Sequence, residues 1–174
     1  MDDSSHRRLF FALWPDAAVR TRIDAATESL AAAPGARRVR AERLHLTLHF
    51  LGDVPDGACN GVRDAGAAVA ADRFDLVLDR AGGFARARVA WLGCSHTPAA
   101  LIDLHAQLGA ALRERGFAVE SRPFAPHVTV RRDVRRPTAD ASIEPIDWPV
   151  DAFVLIESRK GCGYVEIGRW PLRG

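Results

Sequence analysis

Residues 45–52 read HLTLHFLG, and residues 126–132 read PHVTVRR. Successive side chains of an extended chain point to opposite faces. His45, Thr47 and His49 therefore share one face, opposite Leu44, Leu46 and Leu48, while His127, Thr129 and Arg131 share another, opposite Val128 and Val130. Each stretch is a strand that buries an aliphatic row and displays an imidazole with a hydroxyl two residues on. With six histidines and six threonines in 174 residues, chance supplies about 0.2 such His-x-Thr triplets, so two of them in matching apolar surroundings call for a common cause.

The neighbouring sequence supplies the rest of an α+β pattern. RRLFFALW (7–14) reads as a short buried strand, and Pro15 opens a helix whose stripe is Val19, Ile23, Ala26 and Leu30, ended by Pro34 and Gly35. Thr97 as N-cap with Pro98 announces a second helix, carrying Leu101, Leu104, Leu108 and Leu112 up to Gly116. A Gly- and Ala-rich helix between Asp56 and Ala71 has only Val62 and Val69 as its stripe. Further strands are expected at 44–51, 74–80, 87–92, 127–131, 151–157 and 163–170, and a long surface loop over RRDVRRPTADASIEP (131–145). Strands and helices in this order predict an α+β fold with mostly antiparallel sheet. No linker divides the chain, so one domain over 1–174 is expected.

Composition narrows the function classes. Hydrophobic residues at 48% and charged residues at 26% fit a soluble globular chain and exclude wholesale disorder. Lys160 is the only lysine, and the net charge of +2 suits a protein that meets a few phosphates better than one that grips a long duplex. Cys59, Cys94 and Cys162 have neither disulfide-framework nor zinc spacing, which fits a reducing cytoplasm. The opening MDDSSHRRLF lacks an apolar signal core, and no run is long enough to span a bilayer, so no membrane association is expected.

Paired imidazoles point to phosphoryl chemistry. A free imidazole has a pKa near ~6.5 and both gives and takes protons at neutral pH, so two of them flanking a phosphodiester supply acid and base for one in-line displacement. The two threonines then donate to the non-bridging oxygens, where charge accumulates. The scheme needs no metal and no other cofactor.

On RLFFALWP (8–15), HLTLHFLG, FDLVLDRAGGF (74–84) with WLG (91–93), RPFAPHVTVRR (122–132) and LIESRKGCGYVEIGRWPL (155–172), the chain resembles the RNA 2′,3′-cyclic phosphodiesterases of the 2H phosphoesterase superfamily, which include the bacterial 2′-5′ RNA ligase-like proteins. The resemblance implies a bilobal fold. Two pseudo-symmetric lobes of mostly antiparallel sheet, with flanking helices, would enclose a central cleft that holds His45, Thr47, His127 and Thr129. It implies hydrolysis of an RNA 2′,3′-cyclic phosphate end to a 2′-phosphate, with His127 as base on water and His45 as acid on the 3′-oxygen; an RNA 5′-hydroxyl in place of water gives 2′-5′ ligation. It also points to Arg132 as a phosphate contact, although strict alternation puts Arg131 on the His127 face; a bulge, or the strand ending near 131, would reconcile the two. Phe50 stands where the family commonly has an aromatic, either stacking on a base or filling the core. His49 is read as a rim residue, and His6, His96 and His105 fall outside the site. RNA ends are the expected partner, with no protein partner implied and the monomer as default. Two alternatives share the motifs: a 2H enzyme acting on another cyclic nucleotide or an ADP-ribose cyclic phosphate, and a non-catalytic RNA-end binding module.

Overall fold

The computed structural model describes residues 5–30, 34–136 and 138–174. The chain runs β1 (His6–Leu13), α1 (Ala17–Ser29), β2 (Arg37–Arg38), β3 (Leu46–Pro55), α2 (Cys59–Ala67), β4 (Phe74–Phe84), β5 (Val89–Gly93), α3 (Ala99–Glu114), β6 (His127–Arg132), β7 (Ala141–Val150), β8 (Ala152–Arg159) and β9 (Gly163–Pro171), with short 3-10 turns at Ala41–Arg43 and Asp56–Ala58. It is the expected α+β fold. The strands pair in the order β7-β4-β5-β6-β3-β1-β8-β9, with β2 added on β6, and every pairing is antiparallel.

The two expected sheets are halves of one continuous sheet. The junction between β3 and β6 is a single residue pair, Leu46 with Val128, so β3-β1-β8-β9 and β6-β5-β4-β7 meet along their histidine strands. The halves repeat a motif: β1-α1-β3 and β5-α3-β6 each run strand, helix, His-x-Thr strand, with the last pairing against the first. This repetition brings the two polar pairs side by side at the centre.

Alternation fixes which face is dry. Leu9, Phe11 and Leu13 of β1 join Leu44, Leu46, Leu48, Val128 and Val130 in the main core beneath the helices. Each fully buried aliphatic side chain there contributes roughly 1.5–3 kcal/mol. Phe10, Ala12, Val154 and Ile156 form a smaller cluster on the opposite face, under Trp14 and Tyr164. His45 and His127 lie on that second face.

Helix ends and small residues depart from the simple pattern. Asp16, one residue beyond Pro15, caps α1 by accepting from the Val19 N–H at 2.8 Å. Pro98 occupies the N-cap of α3, and the expected cap Thr97 instead sits 3.6 Å from the Cys94 sulfur. In α2 the weak stripe is explained by Gly66, where a Cβ would fall 2.7 Å from the Trp170 ring; the helix packs through absence of side chain.

The expected loop over 131–145 is corrected in part. Its second half is strand β7, which pairs only with β4 and buries Ile146, Trp148 and Val150. Pro145 and Pro149 are tolerated because β7 is an edge strand, where a missing N–H need not break a ladder. Pro137, within that loop, and residues 1–4 and 31–33 lie outside the described residues. Among the described residues no helix is long and apolar enough to cross a membrane.

Candidate active site

A cleft of about 490 Å³ opens on the junction of the two halves. His45 and Thr47 line it from one half, and His127, Thr129 and Arg132 from the other. Both His-x-Thr pairs are half-buried there.

A bulge follows each motif. Ala12 pairs with Thr47 and Phe11 with His49, so Leu48 is an extra residue in β3; Trp91 pairs with Thr129 and Ala90 with Arg131, so Val130 is an extra residue in β6. An inserted residue reverses the facing of all that comes after it. Arg132 consequently shares the cleft with His127, whereas Arg131 turns to the helix side and donates from Nη2 to the carbonyls of Thr27 at 2.8 Å and Leu30 at 3.3 Å, at the C-terminus of α1. Of the two ways to reconcile the arginines, a bulge or a strand ending near 131, the structure has the bulge, and β6 continues to Arg132.

The same device overturns the reading of His49. It is 2% exposed rather than on the rim, because the bulge at Leu48 turns it under α3. Its Nε2–H donates to the His105 carbonyl at 2.9 Å, its ring stacks on His105 at 4.1 Å, and Gly109 leaves it room. His105 stacks in turn on Phe124. Phe50 is neither in the core nor on the cleft wall: it is 49% exposed, with the Arg8 guanidinium 4.8 Å above its ring.

Both site histidines are held in one tautomer. Nδ1 of His45 lies 2.7 Å from the Arg43 carbonyl, and Nδ1 of His127 lies 2.7 Å from the Ala125 carbonyl, each two residues upstream. A carbonyl only accepts, so Nδ1 carries the proton and Nε2 is left as the basic nitrogen. Their surroundings differ. His45 stacks on Trp14 (5.2 Å, 4° between planes) and meets Tyr164 edge-on at 5.5 Å and Phe10 at 4.9 Å; His127 meets the edge of Phe84 at 4.9 Å.

Burial pushes the His45 pKa down to about 4; the Arg43 carbonyl works against the shift, and the charges of Arg132 and His127 add to it. Burial also lowers His127, opposed by the Ala125 carbonyl and assisted by Arg132. Desolvation favours the neutral ring in both cases. At neutral pH both imidazoles are therefore neutral, beside the Arg132 guanidinium.

Sequence reasoning missed the cleft's other walls. Arg37, Arg38, Arg40 and Arg43 line it, with Tyr164 and the hairpin turn at Gly161. The arginines had a signal in ARRVRAER (36–43), directly upstream of the first motif. Trp14 and Tyr164 had none, since they reach His45 from distant strand ends. Among the described residues no three His, Cys, Asp or Glu side chains gather in a way that could hold a metal ion.

Comparison with known proteins agrees with this architecture. The model of the 2′-5′ RNA ligase superfamily matches residues 14–161. The RNA 2′,3′-cyclic phosphodiesterase of Escherichia coli (strain K12) is 34% identical over 176 residues, covering 97% of this chain and 98% of the relative. A crystal structure of E. coli LigT complexed with 3′-AMP superposes with a TM-score of 0.85 at 32% identity, over 98% of this chain and all of that one. TT0787 of Thermus thermophilus superposes with a TM-score of 0.80 at 27% identity, over 96% and 98% of the two chains. With similarity of this extent along nearly its whole length, the chain belongs to the 2′-5′ RNA ligase superfamily.

Proposed function

We propose that this chain hydrolyses RNA 2′,3′-cyclic phosphate ends to 2′-phosphates, without a metal, in one domain of two lobes. The observation that carries the reading is the pair of imidazoles, each with Nδ1 tied to a carbonyl and Nε2 left free, in one cleft walled by arginine. Relatives named RNA 2′,3′-cyclic phosphodiesterase support it.

In the proposed step a water oxygen attacks phosphorus as His127 Nε2 takes its proton. The P–O3′ bond breaks, and the 3′-oxygen takes the proton of a protonated His45, leaving a 2′-phosphate beside a 3′-hydroxyl. The free site has no proton to spare on His45 at neutral pH, so one must be gained as the substrate anion enters; a nearby negative charge raises an imidazole pKa. Stacking on the Trp14 face also favours the charged ring. Thr47 and Thr129 donate to the non-bridging oxygens, and Arg132 offsets their charge. A 5′-hydroxyl in place of water gives a 2′-5′ linkage, with hydrolysis dominant because water is in excess.

The test is incubation with an oligonucleotide ending in a 2′,3′-cyclic phosphate, alongside a cyclic mononucleotide and an ADP-ribose cyclic phosphate. Most efficient opening of the RNA end, to a 2′-phosphate, is expected; an intact end, or a 3′-phosphate, would overturn the proposal.

The two neighbouring arginines separate structure from chemistry. Arg131→Ala removes one Nη2 donor shared between two helix-end carbonyls, a charged contact that contributes about 1.5–3 kcal/mol. A Tm lower by on the order of 3–12 °C is expected in thermal denaturation, with KM nearly unchanged. Arg132→Ala should do the reverse, lowering kcat/KM at a Tm close to that of the parent.

A further inference from the structure

We infer that Arg40 and Arg43 form a second phosphate subsite, which takes a phosphoryl group on the 5′-oxygen of the nucleotide whose cyclic phosphate lies between the histidines. The inference rests on the function proposed above and names the part of the substrate that extends beyond the reacting phosphate.

Five of the cleft-lining residues are arginines and none is acidic. Their pairing divides them. Arg38 is neutralised by Asp24 at 2.7 Å and Glu28 at 2.9 Å, and Arg37 by Asp133. Arg132 is brought to the His127 side of the cleft by the bulge at Val130, which gives it to the reacting phosphate. Among the described residues Arg40 has only Glu42, at 4.0 Å and beyond hydrogen-bond reach, and Arg43 has no acidic partner. Two cations are left over on a wall that already carries three. Like charges crowded at one surface repel, and an anion relieves them.

Arg40 and Arg43 both line the cleft, from the two ends of one short turn. The Arg43 N–H donates to the Arg40 carbonyl at 2.9 Å, closing the 3-10 turn Ala41–Arg43. Arg43 is also oriented, its guanidinium lying 5.6 Å from the Tyr164 ring centroid and against Gly163. Tyr164 meets His45 edge-on, so the subsite adjoins the reacting centre. A nucleoside 2′,3′-cyclic phosphate has one further oxygen that ordinarily bears phosphorus, the 5′-oxygen. In an RNA end that group is the internucleotide diester.

The test compares three compounds: a 2′,3′-cyclic nucleotide with a 5′-hydroxyl, the same nucleotide with a 5′-phosphate, and a dinucleotide ending in a cyclic phosphate. In the parent protein kcat/KM is expected to rise about 10-fold from the first to the dinucleotide, a gain of the size of one charge-assisted contact. Arg40→Gln and Arg43→Gln, singly and together, should bring that ratio towards 1, and Arg43→Lys should keep part of it; the ratio cancels any general loss of turnover. A matching gain for the 5′-phosphate supports a subsite for any 5′-phosphoryl group, and a gain for the dinucleotide alone supports one for the diester. No gain in the parent, or a gain that survives both Gln substitutions, would overturn the subsite. Calorimetric affinities of the same compounds keep the two proposals distinct: if nothing is turned over, the hydrolytic reading fails, while an affinity ladder that the Gln variants flatten still upholds the subsite.

Discussion

His45→Ala and His127→Ala are each expected to lower kcat/KM on a cyclic-phosphate RNA end by roughly 10²–10⁴-fold, the usual contribution of a positioned acid or base. Each ring has only one nitrogen to offer, because Nδ1 is committed to a carbonyl at 2.7 Å. Among the described residues no second imidazole or carboxylate packs against either ring. The groups around His45 are Phe10, Trp14 and Tyr164, and the one against His127 is Phe84. Both rings stand outside the main core, so circular dichroism and Tm should change little. The double variant should lose scarcely more than either single one, since acid and base act in the same step. Near-parent rates in either single variant would remove that histidine from the mechanism.

Thr47→Val and Thr129→Val are expected to lower kcat/KM by roughly 10- to 150-fold. Valine keeps the β-branched shape that suits a strand and deletes only the hydroxyl. Thr21 and Thr27 turn their hydroxyls back onto carbonyls of their own helix, whereas Thr47 and Thr129 line the cleft. A bond from a neutral donor to a charged oxygen contributes about 1.5–3 kcal/mol, and it strengthens as charge builds on the non-bridging oxygens. The loss should therefore fall mainly on kcat, read from steady-state rates at saturating substrate. Full activity in both valine variants would reduce the threonines to strand formers.

What the chain discloses by itself is whatever depends on local periodicity. The leucines of α3 and the aliphatic rows behind the two histidines occupy the buried positions that their spacing implies. The two bulges left no such trace. LHLTLHF alternates without a flaw, yet Leu48 and His49 both turn to the buried side, because an extra residue is defined by the partner strand and not by its own sequence. In β6 the position of Arg132 was legible only through resemblance. β7 was hidden by its prolines, which are excluded from central strands but admitted at an edge, and edge position is a property of the whole sheet. The aromatic enclosure of His45 is assembled from residues 14 and 164, at opposite ends of the chain. No window of sequence contains both.

The shared-proton chemistry is tested most directly by the pH dependence of kcat/KM on a cyclic-phosphate substrate, measured in excess EDTA. The competent form carries one proton on the imidazole pair, so the profile should be a bell whose limbs belong to the pair rather than to either ring. Burial lowers His45 to about 4 and lowers His127 from 6.5, so the free protein keeps that single proton only on the acid side of 6.5. A maximum between about 4 and 6.5 is expected, falling at lower pH as the base protonates and at higher pH as the acid is lost. The limbs of kcat should lie at higher pH, because the bound phosphate anion stabilises the imidazolium. A profile without an alkaline decline, or activity abolished by EDTA and restored by a divalent ion, would contradict a displacement driven by His45 and His127 alone.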